Sequence, residues 1–81
     1  MEMGKKIRLL RVEKNLSQED LAEMVGVEQR TISKAELGIH NNIHVIAQIA
    51  NVLGVSLDWL ADGDQDYPPP RQPVTTKQRK R

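Results

Sequence analysis

Between positions 4 and 63, apolar residues recur every three to four positions in short segments punctuated by capping residues and glycines. This pattern predicts five short helices. The first covers 4–14, with Ile7 and Leu10 on its inner side, Lys6, Glu13 and Lys14 elsewhere, and Leu16 where the chain turns inward. The second opens at Ser17 as N-cap, with Asp20 three residues on completing a capping-box pattern. It is expected to bury Leu21, Met24 and Val25 and to stop at Gly26. The third runs from about Gln29 to Leu37, with Ile32 and Ala35 as its obvious inward residues and Gly38 as its stop. Asn41 or Asn42 can cap the fourth, where Ile46, Ile49, Ala50 and Leu53 recur at offsets 0, 3, 4 and 7 before Gly54. Ser56 caps the fifth, Val55 is placed to pack on Leu60 as a hydrophobic staple, and Gly63 closes the domain.

The 81 residues therefore divide into one small all-α domain, 1–63, and a tail, 64–81. The tail contains Pro68, Pro69, Pro70 and Pro73 and almost nothing apolar, so it is expected to be disordered, with a polyproline II bias at the triple proline. Cysteine is absent, which removes disulfide staples, thiolate metal sites and cysteine nucleophiles. One Trp, one Tyr and no Phe argue against a β-sandwich.

The net charge of +1 conceals segregation along the chain. Lys5, Lys6, Arg8, Arg11 and Lys14 crowd the start, Arg71, Lys77, Arg79, Lys80 and Arg81 crowd the end, and Asp58, Asp62, Asp64 and Asp66 lie between. That asymmetry suits an anionic partner such as nucleic acid as well as it suits solvated surface. No leader-like apolar stretch and no run near the ~18 residues needed to span a bilayer is present, so a cytoplasmic protein without membrane contact is expected.

The chemistry is concentrated in Ser17 to Glu36. A capped, buried helix, a glycine turn and a helix with a mostly polar face form a layout that projects the second helix outward, with dimensions that suit a DNA major groove. Its polar face offers Gln29, Arg30, Ser33 and Lys34. Gln can pair bidentately with adenine, and Arg or Lys with the acceptor edge of guanine.

The residues that carry this layout also carry a family pattern: Leu16-Ser17-Gln18-Glu19-Asp20-Leu21-Ala22, Val25-Gly26-Val27, Thr31-Ile32-Ser33, Glu36, Gly38 and Leu53-Gly54-Val55-Ser56-Leu57-Asp58-Trp59-Leu60. In order and spacing this resembles the phage repressor and Cro type of helix-turn-helix domain (XRE family), over about residues 4–63. The resemblance implies a five-helix lambda-repressor-like fold and a transcriptional regulator, most simply a repressor, that binds double-stranded DNA as a homodimer. It implies that Gln29, Arg30, Ser33 and Lys34 face base edges. Ser17, Gln18, Thr31, His40, Asn41 and Asn42 would lie against the DNA backbone, with Gln18 also bracing the recognition helix. Glu36 would pair with Arg11 as a structural contact.

The sequence departs from the family pattern in three places. Glu28 stands where Ser or Thr usually caps the recognition helix, and it is a poorer cap and a repulsive neighbour for phosphate. Ala35 replaces a bulkier apolar residue, which predicts looser packing. Ile39-His40-Asn41-Asn42 replaces a basic, proline-containing loop and removes phosphate-binding charge. An interaction module, an antitoxin or adaptor that binds a protein partner through the tail, is the alternative function. No enzyme is expected, because no nucleophile, base and orienting group come together in the sequence. No cofactor or metal is expected either: His40 and His44 are four apart, but His40 precedes the helix and no third ligand is near.

Overall fold

The computed structural model describes residues 1–39, 42–64, 66, 67 and 69. Five helices follow in order: α1 (Met3–Glu13), α2 (Gln18–Val25), α3 (Gln29–Glu36), α4 (Ile43–Leu53) and α5 (Leu57–Ala61). Helices this short are marginal alone in water, so each depends on its cap and on the face it buries.

Three of the five helices, α2, α4 and α5, carry N-terminal side-chain caps of the favoured residue types. Ser17 Oγ accepts from the Asp20 amide at 2.9 Å while Asp20 Oδ2 accepts from the Ser17 amide at 3.0 Å, a reciprocal capping box. Asn42 Oδ1 accepts from the amides of His44 and Val45, and Ser56 Oγ from that of Trp59. Gly26 ends α2 at φ 89°, a left-handed conformation that a side chain would strain, and so turns the chain directly into α3.

The buried faces meet in one core. Ile7 and Leu10 of α1, Leu21 of α2, Ile32 of α3, Ile49 of α4 and Leu60 of α5 are all buried. α1 packs on α3, α4 and α5, α2 on α3 and α4, and α4 on α5. Trp59 belongs to this core, and Val55 is half-buried against it. Among the described residues, no helix is long and apolar enough to cross a membrane.

One residue expected inward and one expected outward are found the other way round. Met24 is exposed, because neighbouring helices cover the Leu21–Ala22 edge of α2 and leave Met24 outside. Lys6, expected away from the core, is fully buried. Its stem completes the stripe of Met3, Ile7 and Leu10, and its ammonium reaches the end of α5, donating to the Trp59 carbonyl at 2.6 Å and the Asp62 carbonyl at 2.7 Å.

At Ala35 the small side chain goes with a close approach of α1. A Cβ added to Gly4 would lie 2.2 Å from the Glu36 carbonyl oxygen and 2.9 Å from that of Ala35, so backbone meets backbone where the two helices cross. Contacts with the helical domain continue at and past Gly63. The Met1 ammonium donates to the Gly63 carbonyl at 2.9 Å, the Tyr67 hydroxyl donates to the Glu13 carboxylate, and the Tyr67 ring lies 6.5 Å from that of Trp59.

Candidate nucleic-acid interface

α3 is held by one side only. Ile32 and Ala35 are completely buried, while Gln29, Arg30 and Lys34 are exposed and Thr31 and Ser33 half-buried. The helix thus presents an amide, a guanidinium and an ammonium outward from a fixed backbone. Gln29 and Lys34 are five residues apart, about 7.5 Å along the axis.

Beneath that face lies a polar brace. Arg11 Nε donates to Glu36 Oε2 at 2.6 Å and Arg11 Nη2 to Glu36 Oε1 at 3.3 Å, a two-point contact between α1 and the last turn of α3. Arg11 Nη1 also donates to the Leu16 carbonyl at 2.8 Å, tying the α1–α2 connection to the same guanidinium. Gln18 Nε2 donates to Glu36 Oε1 at 3.1 Å, so the first residue of α2 is bonded to the last of α3. Both charged partners are largely buried, at 12% and 6% side-chain exposure, which makes this a desolvated contact and not a surface pair.

The brace forms the floor of a shallow hollow lined by Arg8, Arg11, Gln18, Ser33, Glu36 and Leu37. Ser33 therefore sits inside the hollow, and exposed Arg8 of α1 stands at its edge. Arg8 was not legible as a site residue in the sequence. The signals were its membership of the basic cluster at the start of the chain and its place three residues before Arg11, which puts both on one side of α1.

The start of α2 offers Ser17 exposed and Gln18 half-buried, with free helix N–H groups at the positive end of the dipole. Glu19 and Asp20 occupy the same turn. Hydrogen bonds from the Ser17 backbone amide, first, and from its side chain hold the Asp20 carboxyl below its ordinary range. Asn42 is exposed, with its amide oxygen committed to capping α4. His40 and Asn41 lie outside the described residues. Glu28 forms no side-chain cap on α3 and instead accepts from Arg30 Nε at 2.9 Å. No group of three His, Cys, Asp or Glu that could hold a metal occurs among the described residues.

Residues 7–60 match the helix-turn-helix family model. The chain is 45% identical over 51 residues to the HTH-type transcriptional regulator PrtR of Pseudomonas aeruginosa, covering 63% of this chain but only 20% of that protein. It is 37% identical over 65 residues to y4mF, an HTH-type transcriptional regulator of Sinorhizobium fredii, covering 79% of this chain and 86% of that one. Among solved structures, it superposes on the P22 c2 repressor bound to a synthetic operator with a TM-score of 0.73 and 32% identity, over 79% of this chain and 98% of that one.

Proposed function

Since the chain belongs to the helix-turn-helix family of the phage repressor and Cro type, we propose that it is a DNA-binding transcriptional regulator whose α3 enters the major groove. The observation that carries this reading is the one-sided anchoring of α3. Two buried small or branched residues and a desolvated ion pair fix the backbone, and the side chains left outward are base-reading types. Gln29, Arg30, Ser33 and Lys34 then face base edges. Ser17, Gln18 and Thr31 lie along the sugar-phosphate backbone with Asn42, and Arg8 adds a cation beside them.

A single α3 reads too few base pairs to specify a site, so the proposal includes a homodimer on a two-fold operator, with half-sites about 34 to 36 Å apart. Occupancy of such a site represses by occluding a promoter, in the cytoplasm. PrtR is named a transcriptional regulator and the P22 c2 structure holds an operator, which supports the reading by likeness.

The test is selection of bound sequences from a random duplex pool, followed by titration of the winner and a scrambled control at two salt concentrations. A two-fold-symmetric winner, preferred by ~10³ or more and still preferred at the higher salt, is the expected result. Binding without enrichment that vanishes as salt rises would leave only a basic surface, and would turn attention to a protein partner.

A further inference from the structure

Glu28 occupies the N-cap position of α3 in backbone conformation, but its carboxylate accepts no hydrogen bond from the helix N–H groups that a cap would satisfy. It accepts from Arg30 Nε at 2.9 Å, with the two side chains 72% and 76% exposed. An ion pair this exposed contributes little to fold stability. Its position is what matters, since it constrains one of the four side chains assigned to base reading.

The bond uses only Nε. The two terminal nitrogens of Arg30 carry the remaining four N–H groups in one plane, and no acceptor engages them among the described residues. That free edge is the fork that matches O6 and N7 of guanine. A guanidinium already held through Nε has surrendered part of its rotational freedom before DNA arrives, so less is lost on binding. The same carboxylate acts on other sequences in the opposite direction. It repels nearby phosphates, and it competes with them for an Arg30 that would otherwise swing to the backbone wherever guanine is missing.

We propose that Glu28 is a positioning residue that determines specificity: it holds Arg30 for guanine and lowers the affinity of the domain for every other sequence. This rests on the reading of α3 as the base-reading helix.

The test uses the full chain as wild type, E28A, E28S, R30A and E28A/R30A, in competition against the selected operator, its single-base-pair variants and a scrambled duplex at fixed salt. Wild type should prefer guanine at one half-site position by about tenfold or more, and R30A should abolish that preference. E28A and E28S should each reduce it by about 3- to 10-fold and bind scrambled duplex several-fold more tightly. E28S separates positioning from folding, because serine is the better cap and its melting temperature should match or exceed that of wild type. A capping role alone predicts that E28S binds the operator with undiminished guanine preference. That result, or an E28A loss that persists at the same base pair in the R30A background, overturns the role of Glu28 and leaves the DNA reading intact. A wild type without sequence preference overturns both.

Discussion

The ammonium of Lys6 lies 4.4 Å from the centre of the Trp59 ring and 2.6 Å from the Trp59 carbonyl oxygen, so one side chain of α1 grips both the backbone and the indole of α5. α5 has five residues, and its last carbonyls have no partner within the helix. A cation at that end adds a charged donor to the Trp59 carbonyl, which among the described residues otherwise accepts only from the Asp62 amide at 3.3 Å, and to the carbonyl of the C-cap Asp62. It also complements the helix dipole and lies over an aromatic face.

Lys6→Met keeps the apolar stem and removes the donors and the charge. We expect it to lose about 2 to 4 kcal/mol, from charge-assisted hydrogen bonds broken at a buried site. Urea unfolding followed by the fluorescence of the single tryptophan measures this directly. A midpoint equal to wild type would show that the clasp contributes nothing.

Glu36→Ala leaves Arg11 with only the Leu16 carbonyl and cuts the bond from Gln18. The expected cost is about 3 to 5 kcal/mol, the usual result of stranding one member of a buried pair. Arg11→Met with Glu36→Leu should recover most of that loss, because both desolvation penalties disappear together. A double-mutant cycle reads the coupling, and additive single losses would contradict a direct pair.

Gly4→Ala improves intrinsic helix propensity by roughly 1 kcal/mol, yet we expect a net loss of about 1 to 3 kcal/mol. The added Cβ would lie 2.2 Å from backbone of α3, which cannot move aside as a side-chain tip can. Gly63→Ala, which meets nothing within 4 Å, is the matched control and should be close to neutral. Equal melting temperatures for the two variants would mean that α1 and α3 are not in backbone contact.

Asp20 provides a pH dependence of known sign. Its folded carboxyl titrates below the unfolded value, so its contribution to stability is complete above the ordinary carboxylate range and disappears as pH falls through the depressed folded value. Asp20→Asn should therefore lower the melting temperature at pH 7 and have a smaller effect near pH 3. A constant difference between the two proteins across that range would contradict a role for the ionised capping box.

The five basic groups of 71–81 lie outside the described residues and are tested by deletion. For every phosphate that the tail neutralises, its removal should flatten the slope of log affinity against log salt by about 0.9. An identical slope after removal of 71–81 makes the tail a bystander in DNA binding.

The local elements of this protein were determined by its sequence alone. Ser17, Asn42 and Ser56 start helices and Gly26 and Gly54 stop them, because a cap needs only a side chain and an amide two or three residues away. The pattern around Ile32 and Ala35 likewise marked which face of α3 turns inward, since angular position on a helix is fixed by spacing. Pairing of Arg11 with Glu36, 25 residues apart, was accessible only through family likeness. Which edges of each apolar stripe become covered was decided by tertiary structure. Met24 and Lys6 both border a buried face, but Met24 is left in water while α5 closes over Lys6 and supplies two carbonyls for its charge. The hollow that joins Arg8 to Ser33 and the bond from Arg30 to Glu28 are of the same kind. They depend on where a neighbouring element or an extended N-cap residue sits in space, a relation that no periodicity along a single helix encodes.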